Sequence, residues 1–189
     1  KIDFAPEIDK PADLARIGQL WKRWVTLFCS DSTGSTRKGF STSERAIWNN
    51  LEKIISHHNK WRLIITIFSS WISRVQQIIN ACEKYDKYIF LSGRSMVENI
   101  AIAKDLWYLK SKTGRIRKMT PKNTQWIPLD KQIIITTWSQ WEEFSALTRM
   151  AEWRHNSIEI LAWDNNEFSC SVYRSEEQSV FWLNHKTIK

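Results

Sequence analysis

Leu63-Ile64-Ile65-Thr66-Ile67-Phe68 is a nearly unbroken β-branched run, closed at once by the polar pair Ser69-Ser70. A strand that covers a core with one face alternates apolar and polar residues. A continuous apolar run instead suits a strand buried on both faces, as in a parallel sheet between layers of helices. The surroundings repeat the same unit. Ser69-Ser70 leads into a segment with Val75, Ile78, Ile79 and Cys82 at helical spacing, and Tyr88-Ile89-Phe90-Leu91 reads as a second strand. Ser92-Gly93-Arg94-Ser95 then opens a helical pattern carrying Val97, Ile100, Ala101 and Leu106. Farther on, Ile133-Ile134-Ile135-Thr136 is a strand, Thr137 to Trp141 a turn, and Phe144, Leu147, Thr148 and Met150 begin another helix. Two short strands, Ser157 to Leu161 and Glu167 to Ser171, precede a last helix from about Glu176.

Toward the N-terminus, Val25-Thr26-Leu27-Phe28-Cys29 reads as a strand running into the polar turn Ser30 to Ser35. Thr42-Ser43-Glu44 opens a helix with Ile47, Leu51, Ile54 and Ile55 at helical spacing. Strands alternating with amphipathic helices specify βαβ units with right-handed crossovers. The fold class is α/β, with a largely parallel sheet and flanking helices.

The 189 residues are 42% hydrophobic and 25% charged, which suffices for a sizeable core. No apolar run approaches the roughly 18 residues of a membrane-spanning helix, so no membrane partner is expected. Plentiful aromatic and β-branched residues exclude a disordered chain. The net charge of +8 gives a field suited to a polyanion such as nucleic acid, or simply keeps the protein soluble. The positive excess is densest at Lys110, Lys112, Arg115, Arg117, Lys118 and Lys122, a stretch with Gly114 and Pro121 that reads as a basic surface loop. Cys29, Cys82 and Cys170 form no CxxC pair, which points to a reducing, cytosolic setting without a disulfide framework. His57, His58, His155 and His185 form no HxH or HExxH arrangement, so no metal site made by this chain alone is expected. Beginning Lys-Ile-Asp without a Met, the chain reads as a piece of a longer protein.

In a doubly wound sheet, ligands bind beyond the carboxyl ends of the strands. Three strand-to-helix junctions here are rich in small hydroxyl and amide groups: Phe68-Ser69-Ser70, Leu91-Ser92-Gly93-Arg94-Ser95 and Thr136-Thr137-Trp138-Ser139-Gln140. Each would present free backbone N–H groups and hydroxyls at one sheet edge, and Arg94 offers a bidentate contact, which together suit a phosphate. The plainer alternative is that Ser70, Ser95 and Ser139 are helix caps or turn residues. Asp31 follows an apolar segment and opens a polar loop, a position that suits an active-site carboxylate or a turn former. The residues alone support a basic α/β domain with a phosphate-facing edge, and a non-catalytic phosphate- or nucleotide-binding module satisfies that description too.

Ser30-Asp31-Ser32-Thr33, Ser43-Glu44-Arg45, Ser92-Gly93-Arg94-Ser95-Met96 and Ser145-Ala146-Leu147-Thr148-Arg149-Met150-Ala151 carry a further signal, joined by Lys10-Pro11-Ala12-Asp13-Leu14-Ala15-Arg16 near the start. In this order and spacing the chain resembles ribonuclease J over its whole length. That family consists of metallo-β-lactamase-fold nucleases with an inserted β-CASP domain. The resemblance implies that residues 1–45 are the tail of the first metallo-β-lactamase segment, of αββα type, and that 46–189 are a β-CASP domain truncated at its C-terminal end. It implies that Asp31 lies beside the metal centre as a catalytic carboxylate. Ser69, Ser70, Arg94, Ser95, Ser139 and Gln140 would face the RNA path and its 5′-phosphate pocket. The parent would be a cytoplasmic, homo-oligomeric ribonuclease acting on single-stranded RNA, exo- or endonucleolytically. Two zinc ions would activate water against a phosphodiester. The metal-binding motifs, HxHxDH among them, would lie outside these residues, leaving the 189-residue piece inactive by itself.

The chain departs from that pattern in one consistent way. The family's Thr-Gly-Ser-Gln-Gly-Glu-Pro is here Thr137-Trp138-Ser139-Gln140-Trp141-Glu142-Glu143. Glycine is the family residue at Trp21, Trp24, Trp48, Trp61, Trp107, Trp138, Trp141, Trp153 and Trp163. Average usage of about 7% would give roughly 13 glycines, whereas the chain has 5 glycines and 12 tryptophans. Other replacements are not of this kind: Trp71 stands for Asn, and Val172 to Glu177 for a Pro-Ile-Pro-Gly-Asn-Glu loop. Glycine serves turns because it tolerates positive φ and lets backbone approach closely, and tryptophan does neither. Some bacterial lineages read the codon UGA as glycine, and reading it as tryptophan produces this one-directional exchange. The other reading is a divergent protein that stacks RNA bases on its tryptophans.

Overall fold

The structure is a computed structural model and describes residues 11–29, 36, 38, 39, 43–137 and 164–168. The chain divides into two compact units, residues 1–51 and 52–189.

In the first unit, helix α1 spans Leu14–Lys22. The Asp13 carboxylate accepts from the Arg16 N–H at 2.8 Å, satisfying one of the donors a helix start leaves open. The segment Val25 to Cys29, expected as a strand, is not one in the structure. Leu27 and Phe28 are 78% and 63% exposed. β-Propensity describes a fit to a pleated, half-buried surface, and no described segment pairs with this one. Helix α2, Glu44–His57, follows as expected, with the Ser43 hydroxyl accepting from the Arg45 N–H at 3.2 Å. The division between the units falls within it.

The second unit is built on a five-stranded, all-parallel sheet. Its strands are β1 (Leu63–Ile67), β2 (Tyr88–Leu91), β3 (Ile116–Lys118), β4 (Gln132–Thr137) and β5 (Asn165–Phe168), in the spatial order β3-β2-β4-β1-β5. Every residue of β1 and β4 is buried, which is why both read as continuous apolar runs. Ile64 and Ile65 lie in register with Ile134 and Ile135, and Phe90 with Ile134 from the other side. Helix α3, Ile72–Lys84, buries Val75, Ile78, Ile79 and Cys82, the expected face.

Three expectations are corrected in detail. Helix α4, Arg94–Asp105, buries Met96, Ile100 and Ala103, while Ala101 faces solvent and Leu106 is 59% exposed. The chain enters the helix through Gly93 at φ 100, and the i, i+4, i+7 stripe from Met96 is the buried one. The basic stretch is not simply a loop, because Ile116–Lys118 forms the edge strand β3. The last described strand starts at Asn165, two residues before the expected Glu167. The helix from Phe144, the strand Ser157 to Leu161 and the helix from Glu176 lie outside the described residues.

Among the described residues, Cys29 and Cys82 are free thiols, and burial pushes the Cys82 thiol upward. No helix there is long and apolar enough to cross a membrane.

Candidate functional site

The strand order defines where a ligand would sit. β1 is followed by β2, on the far side of β4, while the next described strand after β4 is β5, on the far side of β1. Adjacent parallel strands whose successors lie in opposite directions form a topological switch point, and the crevice beyond their carboxyl ends is the binding position of such sheets. That edge is lined by Ser69 and Ser70 after β1, by Thr136 and Thr137 at the end of β4, and by Ser92 to Ser95 after β2.

The β1 exit is a tight turn, with the Trp71 N–H donating to the Phe68 carbonyl at 3.1 Å and the Ile72 N–H to that of Ser70 at 3.0 Å. Trp71 packs edge-on against Phe68 at 4.8 Å between ring centroids, and the Arg74 guanidinium lies 4.3 Å above its ring. The β2 exit extends the ladder by one bond, from the Ser92 N–H to the Ile135 carbonyl at 2.9 Å. Ser92 is thereby buried, and Gly93 turns the chain at a φ of 100 that side chains rarely adopt. The two exits are joined directly: the Asn99 side-chain amide, on α4, donates to the Ser69 hydroxyl at 3.0 Å.

Of the sequence-derived candidates, Ser69, Ser70, Arg94 and Ser95 come to this edge. Ser70, Arg94 and Ser95 are exposed and Ser69 is half-buried. Neither Ser70 nor Ser95 is a helix cap: Trp71 and Gly93 hold those positions, both without a side-chain capping bond. Asp31, Ser139 and Gln140 lie outside the described residues. Asn99 carries no sequence signal for its role, which comes from tertiary pairing. Ser92 and Thr136, legible in the sequence as members of the hydroxyl-rich junctions, are buried, and the Thr136 hydroxyl has no hydrogen-bond partner among the described residues.

The opposite edge has a different character. Asp86 pairs with both Lys131 and Arg115, and these cations hold its carboxyl at about 2. Arg115 and Arg117 lie 5.0 and 5.8 Å from the Tyr88 ring centroid. The segment before β3 is pinned to α3. Gln76 exchanges two bonds with the Lys110 backbone, at 2.7 and 2.8 Å. Glu83 accepts from Ser111, Lys112 and Thr113 at 2.7 to 3.1 Å.

Among the described residues, no group of three His, Cys, Asp or Glu side chains is placed to hold a metal ion. His57 Nδ1 is 2.8 Å from the Lys53 carbonyl, and His58 bonds the Trp61 carbonyl while burial lowers its pKa. The described residues therefore offer no donor set for the zinc ions that the resemblance implies.

The chain is similar to known proteins of one family. A family profile described as "Ribonuclease J, beta-CASP domain" matches residues 60–185. Ribonuclease J of Mycolicibacterium smegmatis is 35% identical over 181 residues, covering 96% of this chain and 32% of that protein. Ribonuclease J of Thermus thermophilus is 33% identical over 95% of this chain and 31% of its own length. That of Helicobacter pylori is 34% identical over 95% of this chain and 26% of its own. The chain thus spans about a quarter to a third of these relatives. These matches establish that the chain belongs to the ribonuclease J family, residues 60–185 matching its β-CASP domain.

Proposed function

We propose that this chain is the RNA-holding β-CASP portion of a metal-dependent ribonuclease of the ribonuclease J type, acting in RNA processing and decay. The observation that carries the reading is the switch-point edge, where Ser69, Ser70, Arg94 and Ser95 present hydroxyls and one guanidinium beyond the ends of β1 and β2. Hydroxyl and backbone N–H donors suit phosphate oxygens, and an arginine can hold one of them bidentately. The positive charge of the chain would draw in a polyanion before these contacts form.

In this reading residues 1–45 belong to the metallo-β-lactamase segment, with Asp31 beside the metal centre, and Ser139 and Gln140 complete the phosphate-facing edge. Residues elsewhere in the full-length protein would hold the metal, two ions of zinc type, whose chemistry would be the activation of water for phosphodiester hydrolysis. The chain's own task is to hold and orient single-stranded RNA, in a cytoplasmic and homo-oligomeric enzyme.

The nucleotide sequence flanking this reading frame tests the proposal. An HxHxDH motif encoded shortly before Lys1 is expected. A complete upstream frame without it would overturn the nuclease reading and leave a phosphate- or nucleotide-binding module.

A further inference from the structure

The sheet edge does not stop at Arg94. β3 pairs in parallel with β2, with Lys118 in register with Leu91, and the Met119 N–H donates to the Leu91 carbonyl at 2.9 Å. Parallel strands end on the same edge, so Lys118 emerges beside the Ser92-Gly93-Arg94 turn. Met119 anchors this end in the core at 5% exposure. The Asn123 side-chain amide donates to the Lys118 carbonyl at 2.7 Å, and Thr120 caps the short helix α5, Pro121–Thr124. Lys118 and Lys122 are both exposed on this braced turn.

Their pairing sets them apart from the cations at the other end of the sheet. Arg115 and Lys131 are both held by Asp86, whereas Arg94, Lys118 and Lys122 have no carboxylate partner among the described residues. From β1 to β3 the edge crosses three strand spacings, about 14 Å at roughly 4.8 Å each. It carries hydroxyls at the β1 and β4 ends and unpaired cations at the β2 and β3 ends. We propose that Lys118 and Lys122 hold backbone phosphates of a single RNA strand whose neighbouring phosphate engages Arg94. This rests on the RNA reading of the same edge and extends it to the outer strand.

The test measures binding of a single-stranded oligoribonucleotide to the full-length protein across a salt series. Lys118→Ala with Lys122→Ala is expected to make the negative slope of log K against log salt shallower by about 1.4, at roughly 0.7 per phosphate contact on single strands. The Lys118→Arg, Lys122→Arg pair should keep the slope, and a mononucleotide should bind the alanine variant as well as the parent. Lys53→Ala with Lys60→Ala, on exposed cations elsewhere, should leave the slope unchanged. A slope equal to the parent's in the Lys118, Lys122 alanine variant, or an equal loss in the Lys53, Lys60 variant, overturns the proposal. If Arg94→Ala still makes the slope shallower, only this extension fails. If it does not, the RNA reading of the edge fails with it.

A second inference rests on the backbone alone. Helix α4 ends in a Schellman motif, with the Trp107 N–H donating to the Lys104 carbonyl at 3.0 Å and the Tyr108 N–H to that of Ala103 at 2.9 Å. Trp107 holds its left-handed position at φ 61, with 81% of its surface exposed. Trp24 does the same after α1, at φ 55 and 93% exposed. The third such helix end, after α3, uses Asp86 at φ 56, a residue type that tolerates this region. Trp71 differs from both, packed between Phe68 and Arg74 at negative φ. Trp24 and Trp107 meet no packing that would offset a conformation made for glycine.

We infer that positions 24 and 107 are glycine in the native protein, each specified by UGA in a host that reads it so. UGA codons at both positions, and peptide masses from the native source corresponding to glycine, are expected. UGG codons, or peptide masses corresponding to tryptophan, overturn the inference.

Discussion

Asn99 Nδ2 lies 3.0 Å from Ser69 Oγ, so the second turn of α4 holds the loop that leaves β1. The two residues are far apart in sequence, and their bond converts separate strand exits into one edge. Because Asn99 is the donor, the Ser69 hydroxyl keeps its own proton to offer a ligand.

Asn99→Ala is therefore expected to cost about 1 kcal/mol of stability, the usual net worth of such a bond. It should also speed hydrogen exchange at the amides of Trp71 and Ile72. Thermal melting and native-state exchange check this, and an unaltered exchange pattern would mean the bond does not organise the loop.

Glu83 sets a pH dependence. Burial raises its pKa, but the bonds from Ser111, Thr113 and Lys112 outweigh that and leave it lowered. A carboxylate lowered by folding adds stability that is complete above its unfolded pKa of about 4.3 and lost as pH falls through the folded value. The parent should thus lose stability relative to Glu83→Ala as the pH is lowered below about 4. At neutral pH the variant should be about 1–2 kcal/mol less stable. Urea melts of both proteins across this range provide the measurement, and a constant difference would refute the role given to Glu83.

Trp107→Gly should raise stability by about 1 kcal/mol, since the left-handed conformation costs a side chain roughly 1–2 kcal/mol and glycine returns part of that through its freer unfolded chain. Trp107→Ala keeps the strain and should bring no such gain. Denaturant melts of the two variants separate the backbone effect from mere loss of an exposed indole.

The fold was legible where burial acts on both faces of a strand. Ile64, Ile65, Ile134 and Ile135 leave no other reading, and the hydroxyl-rich exits after them follow from the α/β pattern. Legibility failed where a neighbour decides. Of the expected set on α4 Ile100 is buried, while Ala101 and Leu106 are exposed, and the buried stripe is completed by Met96 and Ala103, which packing against the sheet selects. Ile116-Arg117-Lys118 is short and charged, and it is a strand because β2 offers an open edge. Val25 to Cys29 has the composition of a strand and no described partner. That Ser69, Ser70, Arg94 and Ser95 come to one sheet edge follows from their places at strand ends, whereas Asn99 joins that edge only through its bond to Ser69.

In the proposed function the edge beyond β1, β4 and β2 holds the RNA backbone, with Arg94 as its first cation. The most direct test is the salt dependence of single-stranded RNA binding by the full-length protein and its Arg94→Ala variant. Weaker binding by the variant is expected, with the negative slope of log K against log salt shallower by about 0.7. Equal affinity with an unchanged slope would contradict it.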